Sequence, residues 1–175
     1  MVRILDNWLT DSDTGFEWGS GRSTVWFAEK VEQLTTIEHN AEWARTVAHL
    51  LVEKNLRGKV ELLTISTIEN SGTYDYVDAV DSISNDSLDF CLVDGKLRDR
   101  CALKALEKLR SGGVLIVDNV ERYLPRSCPT NSPNSRNNSR GHQSEMWKEF
   151  SEKVSDWRHI WSSNGIFDTA LWVKP

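Results

Sequence analysis

Eight residues, Phe16-Glu17-Trp18-Gly19-Ser20-Gly21-Arg22-Ser23, bring an acid, two glycines and two hydroxyls into one short segment. Glycines spaced Gly-x-Gly clear side chains from a turn, so that backbone N–H groups can approach a ligand. If a helix begins there, its first unpaired amides add attraction for a carboxylate. Glu38 follows Gly19 by 38 − 19 = 19 residues, near the spacing of about 20 at which a carboxylate accepts hydrogen bonds from ribose hydroxyls. Turn and acid together point to a nucleoside. Each also has a plainer role: the glycines can form an ordinary tight turn, Glu17 can be a buried acid tied to backbone amides, and Glu38 can cap the next helix.

A nicotinamide dinucleotide is one such ligand. Its fingerprint places a third glycine at position 24, for close helix packing beside a pyrophosphate seat, but Thr24 stands there. Glu17, two residues before the first glycine, suits an ammonium group better than phosphates. The preference is for a nucleoside that contains an amino acid.

A second set of residues lies further on. Asp94 and the pair Asp118-Asn119 should end neighbouring strands, which would bring two carboxylates and an amide carbonyl to one sheet edge. Such hard oxygen donors suit Mg²⁺, Ca²⁺ or Mn²⁺. The plainer alternatives are that Asp94 borders cofactor and substrate and that Asp118-Asn119 caps a loop. Arg98, Arg100, Arg122, Arg126, Arg136 and Arg140 cluster around the same stretch of chain; they are either contacts for an anionic substrate or solvated charges.

The elements that must position these residues alternate. Residues 14 to 17 read as a strand, 24 to 31 as a helix and Leu34 to Glu38 as a second strand. Asn40 is a plausible N-cap for a helix with Trp43, Val47, Leu50 and Leu51 on one side, closed by Gly58 in the left-handed conformation. Val60 to Ile65 is a third strand, and Tyr76, Val77, Val80 and Ile83 suggest a short helix. The apolar run Leu88 to Val93 is a strand covered on both faces. A helix over Ala102 to Leu109 ends at Gly112-Gly113, and Val114 to Val117 is a fifth strand. Met146, Trp147, Phe150 and Val154 mark a last helix, and two strands, 157 to 161 and 169 to 173, flank Asn164-Gly165, a hairpin signal. This order implies right-handed crossovers and a parallel sheet. Residues 125 to 143, rich in Ser, Asn, Pro and Arg, read as a long flexible loop and a candidate lid.

At this point the chain resembles a class I S-adenosylmethionine (SAM)-dependent methyltransferase. The residues that carry the resemblance are Glu17-x-Gly19-x-Gly21, then Thr36-Ile37-Glu38-His39, then Leu92-Val93-Asp94-Gly95, and it covers roughly residues 14 to 174. It implies a Rossmann-like three-layer α/β/α sandwich, with a seven-stranded, mostly parallel sheet ending in an antiparallel hairpin. It implies cofactor contacts from Glu17, Trp18, Gly19, Ser20, Gly21, Ser23, Glu38 and Asp94, with His39 either bordering adenine or packed in a loop. Ser23 departs from the third glycine of many members, and Thr64 to Thr67 lacks the acid that often contacts adenine. The Asp94, Asp118 and Asn119 set is similar to that of metal-dependent O-methyltransferases, where the ion orients a hydroxyl and lowers its pKa. A lysine base follows the first aspartate by three residues in those enzymes. Here position 97 is Leu97, so Lys96 is the catalytic candidate beside Asp94, with a solvated charge as its plainer reading.

The resemblance implies O-methylation of a small molecule as the leading activity. A cofactor-binding protein without turnover and a nicotinamide-dependent oxidoreductase are the rivals. Composition narrows partners and place. The chain of 175 residues is of a length for one domain. Its net charge of 21 − 26 = −5 argues against nucleic acid held through phosphate neutralisation. No apolar run approaches membrane-crossing length, and no secretory pattern opens the chain, so a cytoplasmic location is expected. Cys91, Cys101 and Cys128 lack metal or redox spacing and read as reduced thiols. About a dozen residues precede the glycine turn, so a pocket open to solvent or completed by a second subunit is expected, which admits a homo-oligomer.

Overall fold

Five strands, β1 (Thr14–Trp18), β2 (Gln33–Glu38), β3 (Val60–Thr64), β4 (Leu88–Val93) and β5 (Leu109–Asp118), run parallel in a computed structural model that describes residues 1–126 and 133–175. β6 (Arg158–Ser163) and β7 (Asp168–Val173) complete one sheet in the order β3-β2-β1-β4-β5-β7-β6, in which β7 pairs antiparallel with both of its neighbours. This is the expected seven-stranded, mostly parallel sheet with a terminal hairpin. The hairpin turn carries Gly165 at φ 90°, and the Asn164 side chain accepts hydrogen bonds from the N–H groups of Ile166 and Phe167.

Helices cover both faces. α1 (Val2–Trp8), α2 (Arg22–Ala28) and α3 (Ala41–Glu53) bring Leu5, Phe27, Val47 and Leu51 onto Phe90, Leu92, Val114 and Ile116. α4 (Asp75–Asp78), which runs into a 3₁₀ turn, α5 (Arg98–Lys108) and α6 (Glu145–Lys153) bring Tyr76, Ala105, Trp147 and Phe150 onto Phe16, Trp18, Cys91, Val93 and Leu115. Side chains alternate across a strand, so a sheet buried on both faces needs apolar residues at successive positions. That is why Leu88–Val93 is apolar nearly throughout.

Local chemistry matches the reading at Asn40, whose side chain accepts from the N–H groups of Glu42 and Trp43. It differs in three places. Asn55, at φ 58°, is the left-handed residue after α3, whereas Gly58 lies in a 3₁₀ turn. α5 ends at Lys108, and Gly112 and Gly113 lie inside β5, where the register with β4 shifts between Leu88 and Phe90. α1, which carries the buried Leu5, was not expected at all.

Among residues 133–143 the chain forms turns around Arg136, which donates to the main-chain oxygens of Gly141 (2.6 Å), Arg140 (2.8 Å) and His142 (3.0 Å). Cys91 and Cys101 are free and buried; the reading of Cys128, like the remainder of the expected loop at 127–132, lies outside the described residues. Among the described residues no helix is long and apolar enough to cross a membrane.

Candidate active site

The strand order reverses beside β1, whose neighbours are β2 and β4. Ligands of open α/β sheets sit outside the carboxyl ends of strands at such a switch point. Trp18 pairs with Val93 there, so the turn after β1 meets the turn after β4. The meeting needs glycine on both sides. Gly19 has φ 97°, and a Cβ on it would fall 2.6 Å from the Gly95 nitrogen. A Cβ on Gly95 would fall 1.9 Å from the Tyr76 hydroxyl and 3.0 Å from the Gly19 nitrogen. The turn is held from outside by Trp43, whose Nε1 donates to the Ser20 carbonyl at 2.7 Å. Ser20 is 5% exposed, and its Oγ has no hydrogen-bond partner among the described residues. Buried hydroxyls are rarely left so unless something else fills the site.

Glu17 lies under this turn. It is fully buried and accepts from Ser23 Oγ (2.5 Å), Thr24 Oγ1 (2.5 Å) and Thr36 Oγ1 (2.8 Å). Burial pushes its carboxyl up to about 7, against the three hydroxyl contacts and with a small push from Asp94. Glu17 thus meets the chain's own hydroxyls, and the expected ligand ammonium would have to approach a carboxylate already bonded on both oxygens. The pleat turns this side chain inward, where it fixes the start of α2, and Thr24 passes the restraint on by accepting from the Gly21 N–H at 2.8 Å. Ser23, whose hydroxyl is committed to Glu17, serves the same restraint. The Trp18 side chain lies away from the turn. Its ring is buried on the opposite face, 4.5 Å edge-on from Phe16, and Nε1 donates to the Tyr76 carbonyl at 3.0 Å, so only its backbone borders the turn.

Glu38 ends β2 one strand away. Its Oε1 accepts from the Asn40 N–H at 2.7 Å and meets His39 Nδ1 at 2.8 Å, while Oε2 accepts from none of the described residues. The His39 ring stands edge-on to Tyr76 at 6.3 Å. Tyr76, read from the sequence only as part of a short helix, thus touches both His39 and the Gly95 turn.

Asp94 and Asp118 stand at the ends of β4 and β5. Both line a cleft of about 500 Å³ walled by Leu5, Trp26, Phe27, Leu92 and Ile116, with the exposed Arg22 at its edge. Thr169 Oγ1 donates to Asp118 Oδ1 at 2.6 Å. Burial, and less strongly the neighbouring Asp118, push the Asp94 carboxyl up to about 6, against the pull of Arg98.

No protein-family model matches the sequence, and no curated protein matches it. Solved structures do match. SMU.1697c from Streptococcus mutans, solved in complex with SAH, aligns over 99% of this chain and 94% of its own at 10% identity and a TM-score of 0.67. The O-methyltransferase TomG from Streptomyces achromogenes, involved in tomaymycin synthesis and solved with SAM, is 20% identical over 94% of this chain and 74% of its own, with a TM-score of 0.63. An rRNA methylase from Streptococcus thermophilus is 10% identical over 98% of this chain and 92% of its own, with a TM-score of 0.64. The chain has the class I methyltransferase fold.

On this methyltransferase fold Asp94 and Asp118 stand side by side, but the expected metal triad finds no support among the described residues. Arg98 supplies the local positive charge. Its guanidinium donates to the main-chain oxygens of Asp94 (2.6 Å), Gly95 (2.9 Å) and Asp118 (2.5 Å) and to Asp94 Oδ1 (2.9 Å). Asn119 takes the left-handed conformation at φ 51° and opens a 3₁₀ turn. Among the described residues no group of three His, Cys, Asp or Glu is placed to hold an ion. With Asp94 Oδ1 bonded to a guanidinium and Asp118 Oδ1 to Thr169, nothing in the described arrangement supports a divalent cation. Lys96 is exposed and lines a separate depression with Arg122 and Tyr123, not the cleft of Asp94 and Asp118. Arg98 lies four residues after Asp94, an ion-pair spacing visible in the sequence, yet from the sequence alone it reads as a contact for an anionic substrate or a solvated charge.

Proposed function

We propose that the chain is a SAM-dependent methyltransferase acting on a hydroxyl of a small molecule, without a metal ion. The observation that carries this reading is the side-chain-free contact of Gly19 with Gly95 at the switch point, with the orphaned Ser20 hydroxyl in the same turn. Those features fit SAM. Glu38, through its uncommitted Oε2, would hold the ribose, and the amides of the glycine turn would face the methionine portion. When bound, SAM supplies an electrophilic sulfonium methyl group.

The remaining work falls to the chain. The apolar walls of the cleft keep water from the acceptor, and positioning for in-line attack supplies much of the acceleration in such reactions. Asp94, with its carboxyl held near 6, is matched to accept the acceptor's proton around neutral pH. Arg98 positions Asp94 rather than meeting the substrate through a metal. Glu17 is a positioning residue for the turn.

Two observations weigh against a nicotinamide cofactor: Thr24, which fills the third-glycine position, bonds to Glu17 and Gly21, and β7 is reversed. Incubation with methyl-labelled SAM and pooled phenolic and aliphatic alcohols tests the activity. Label in a small-molecule product supports it; SAM binding without transfer across the pool supports the rival reading of a binding protein.

A further inference from the structure

The residues around Lys96 form a depression of about 330 Å³ on the α5 and α6 side of the strand ends, beside but separate from the cleft of Asp94 and Asp118. Its walls include Lys96, Arg98, Arg122, Tyr123 and Asp99. Three cations thus face one acid on a chain whose net charge is −5. The acid is already engaged: Asp99 accepts from Ser144 Oγ and from the Arg100 N–H, each at 3.0 Å. The cations are held to different degrees. Arg98 is spent on Asp94, Gly95 and Asp118, and Arg122 Nε faces Glu121 at 3.7 Å, but the Arg122 side chain is 40% exposed, and Lys96 is exposed and pairs with none of the described acids. Exposed cations that share a depression attract an oxyanion. The site is rigid as well. The Tyr123 ring stacks on the buried Trp147 at 4.9 Å, and the Arg98 guanidinium lies 5.8 Å over Tyr123 while touching Asp94.

We propose that this depression anchors an oxyanion, a phosphate or carboxylate group, carried by the methyl acceptor. Arg98 lines this depression and bonds Asp94, which lines the cleft, so a molecule held by its anion at Lys96 and Arg122 and passing beside Arg98 presents its hydroxyl towards Asp94. The proposal rests on the methyl-transfer reading and names the substrate class for it: a hydroxylated compound with a phosphate or carboxylate at the opposite end.

The test is a titration of isotope-labelled protein followed by NMR, with phenyl phosphate and benzoate as probes, sodium chloride as the ionic control and a short RNA oligonucleotide as the competing class. Saturable shifts centred on Lys96, Arg122 and Tyr123 are expected from one or both probes, and the stronger probe identifies the anion. Lys96→Gln changes an exposed side chain and leaves folding intact; it and Arg122→Gln should each weaken the probe about tenfold. Binding of S-adenosylhomocysteine is measured on the same samples by calorimetry. If it binds and neither probe shifts these residues beyond chloride, the anchoring site is overturned and the methyl-transfer reading stands. If the probes bind there and S-adenosylhomocysteine does not bind at all, the assignment to a methyl acceptor is overturned. RNA that binds more tightly than phenyl phosphate, and loses affinity in the same variants, overturns the small-molecule class.

Discussion

Arg98 Nη1 donates to the main-chain oxygen of Asp118 at 2.5 Å, and Nη2 of the same guanidinium reaches Asp94 Oδ1 at 2.9 Å. One side chain thereby joins the ends of β4 and β5 and supplies the positive charge that a divalent ion would otherwise bring. Arg98→Leu should cost about 3 kcal/mol of stability, since it leaves main-chain oxygens and a carboxylate unpaired. Urea unfolding measures it. Methyl transfer by the unaltered chain should be indifferent to a chelator; loss of activity on chelation would restore a metal to the account.

Gly19 and Gly21 look equivalent in the sequence but should respond differently to a side chain. Gly19→Ala meets both a φ of 97° and a Cβ position 2.6 Å from the Gly95 nitrogen, and should destabilise by roughly 2 kcal/mol or more. At Gly21 the nearest atoms to an added Cβ, those of the Trp43 indole, are 3.9 Å away. Gly21→Ala should therefore change stability by less than about 0.5 kcal/mol. Thermal unfolding of the two variants side by side checks the contrast.

Buried Glu17 sets a pH dependence. Its carboxyl is raised in the folded chain from 4.5 to about 7, so the folded state binds more protons than the unfolded state between those values. Stability must then fall as pH rises from 4.5 to 7 and level off above, a contribution of up to about 3 kcal/mol. Glu17→Gln should flatten this part of the profile and be the more stable protein at pH 8. Denaturant midpoints for the two proteins across pH 4 to 8 give the difference; parallel profiles would show that Glu17 is ionised throughout.

Glu38→Gln keeps Oε1 for the Asn40 N–H and removes the negative charge from the ribose site. Affinity for S-adenosylhomocysteine should drop about tenfold with little change in melting temperature, as expected for a charged hydrogen bond worth about 1.5 kcal/mol. An unchanged affinity would move the ribose elsewhere.

The parts of the fold that could be read from residue order are those set by local rules. The Asn40 cap, the doubly buried run Leu88–Val93 and the Asn164-Gly165 turn each follow from a few adjacent residues. Where two local solutions competed, the reading went astray: Asn55 took the left-handed position that Gly58 could equally supply, and Gly112-Gly113 continued β5 instead of ending α5. The site shows the same division. Spacing placed Glu17, Glu38 and Asp94 at the right strand ends. It could not show which way each side chain turns or what meets it there. That depends on partners far away in the chain: Thr36 for Glu17, Tyr76 for Trp18 and Thr169 for Asp118. Trp43, expected on the apolar side of α3, is instead 45% exposed and braces the glycine turn through Ser20.

The central claim is that the bare turn at Gly19, opposite Gly95 and beside Glu38, holds the adenosyl cofactor. Calorimetric titration of the purified chain with S-adenosylhomocysteine, and separately with NAD, tests it most directly. The account predicts one saturable site for S-adenosylhomocysteine, weakened in Glu38→Gln, and no heat of binding for NAD. A folded chain that ignores S-adenosylhomocysteine, or that prefers NAD, would contradict it.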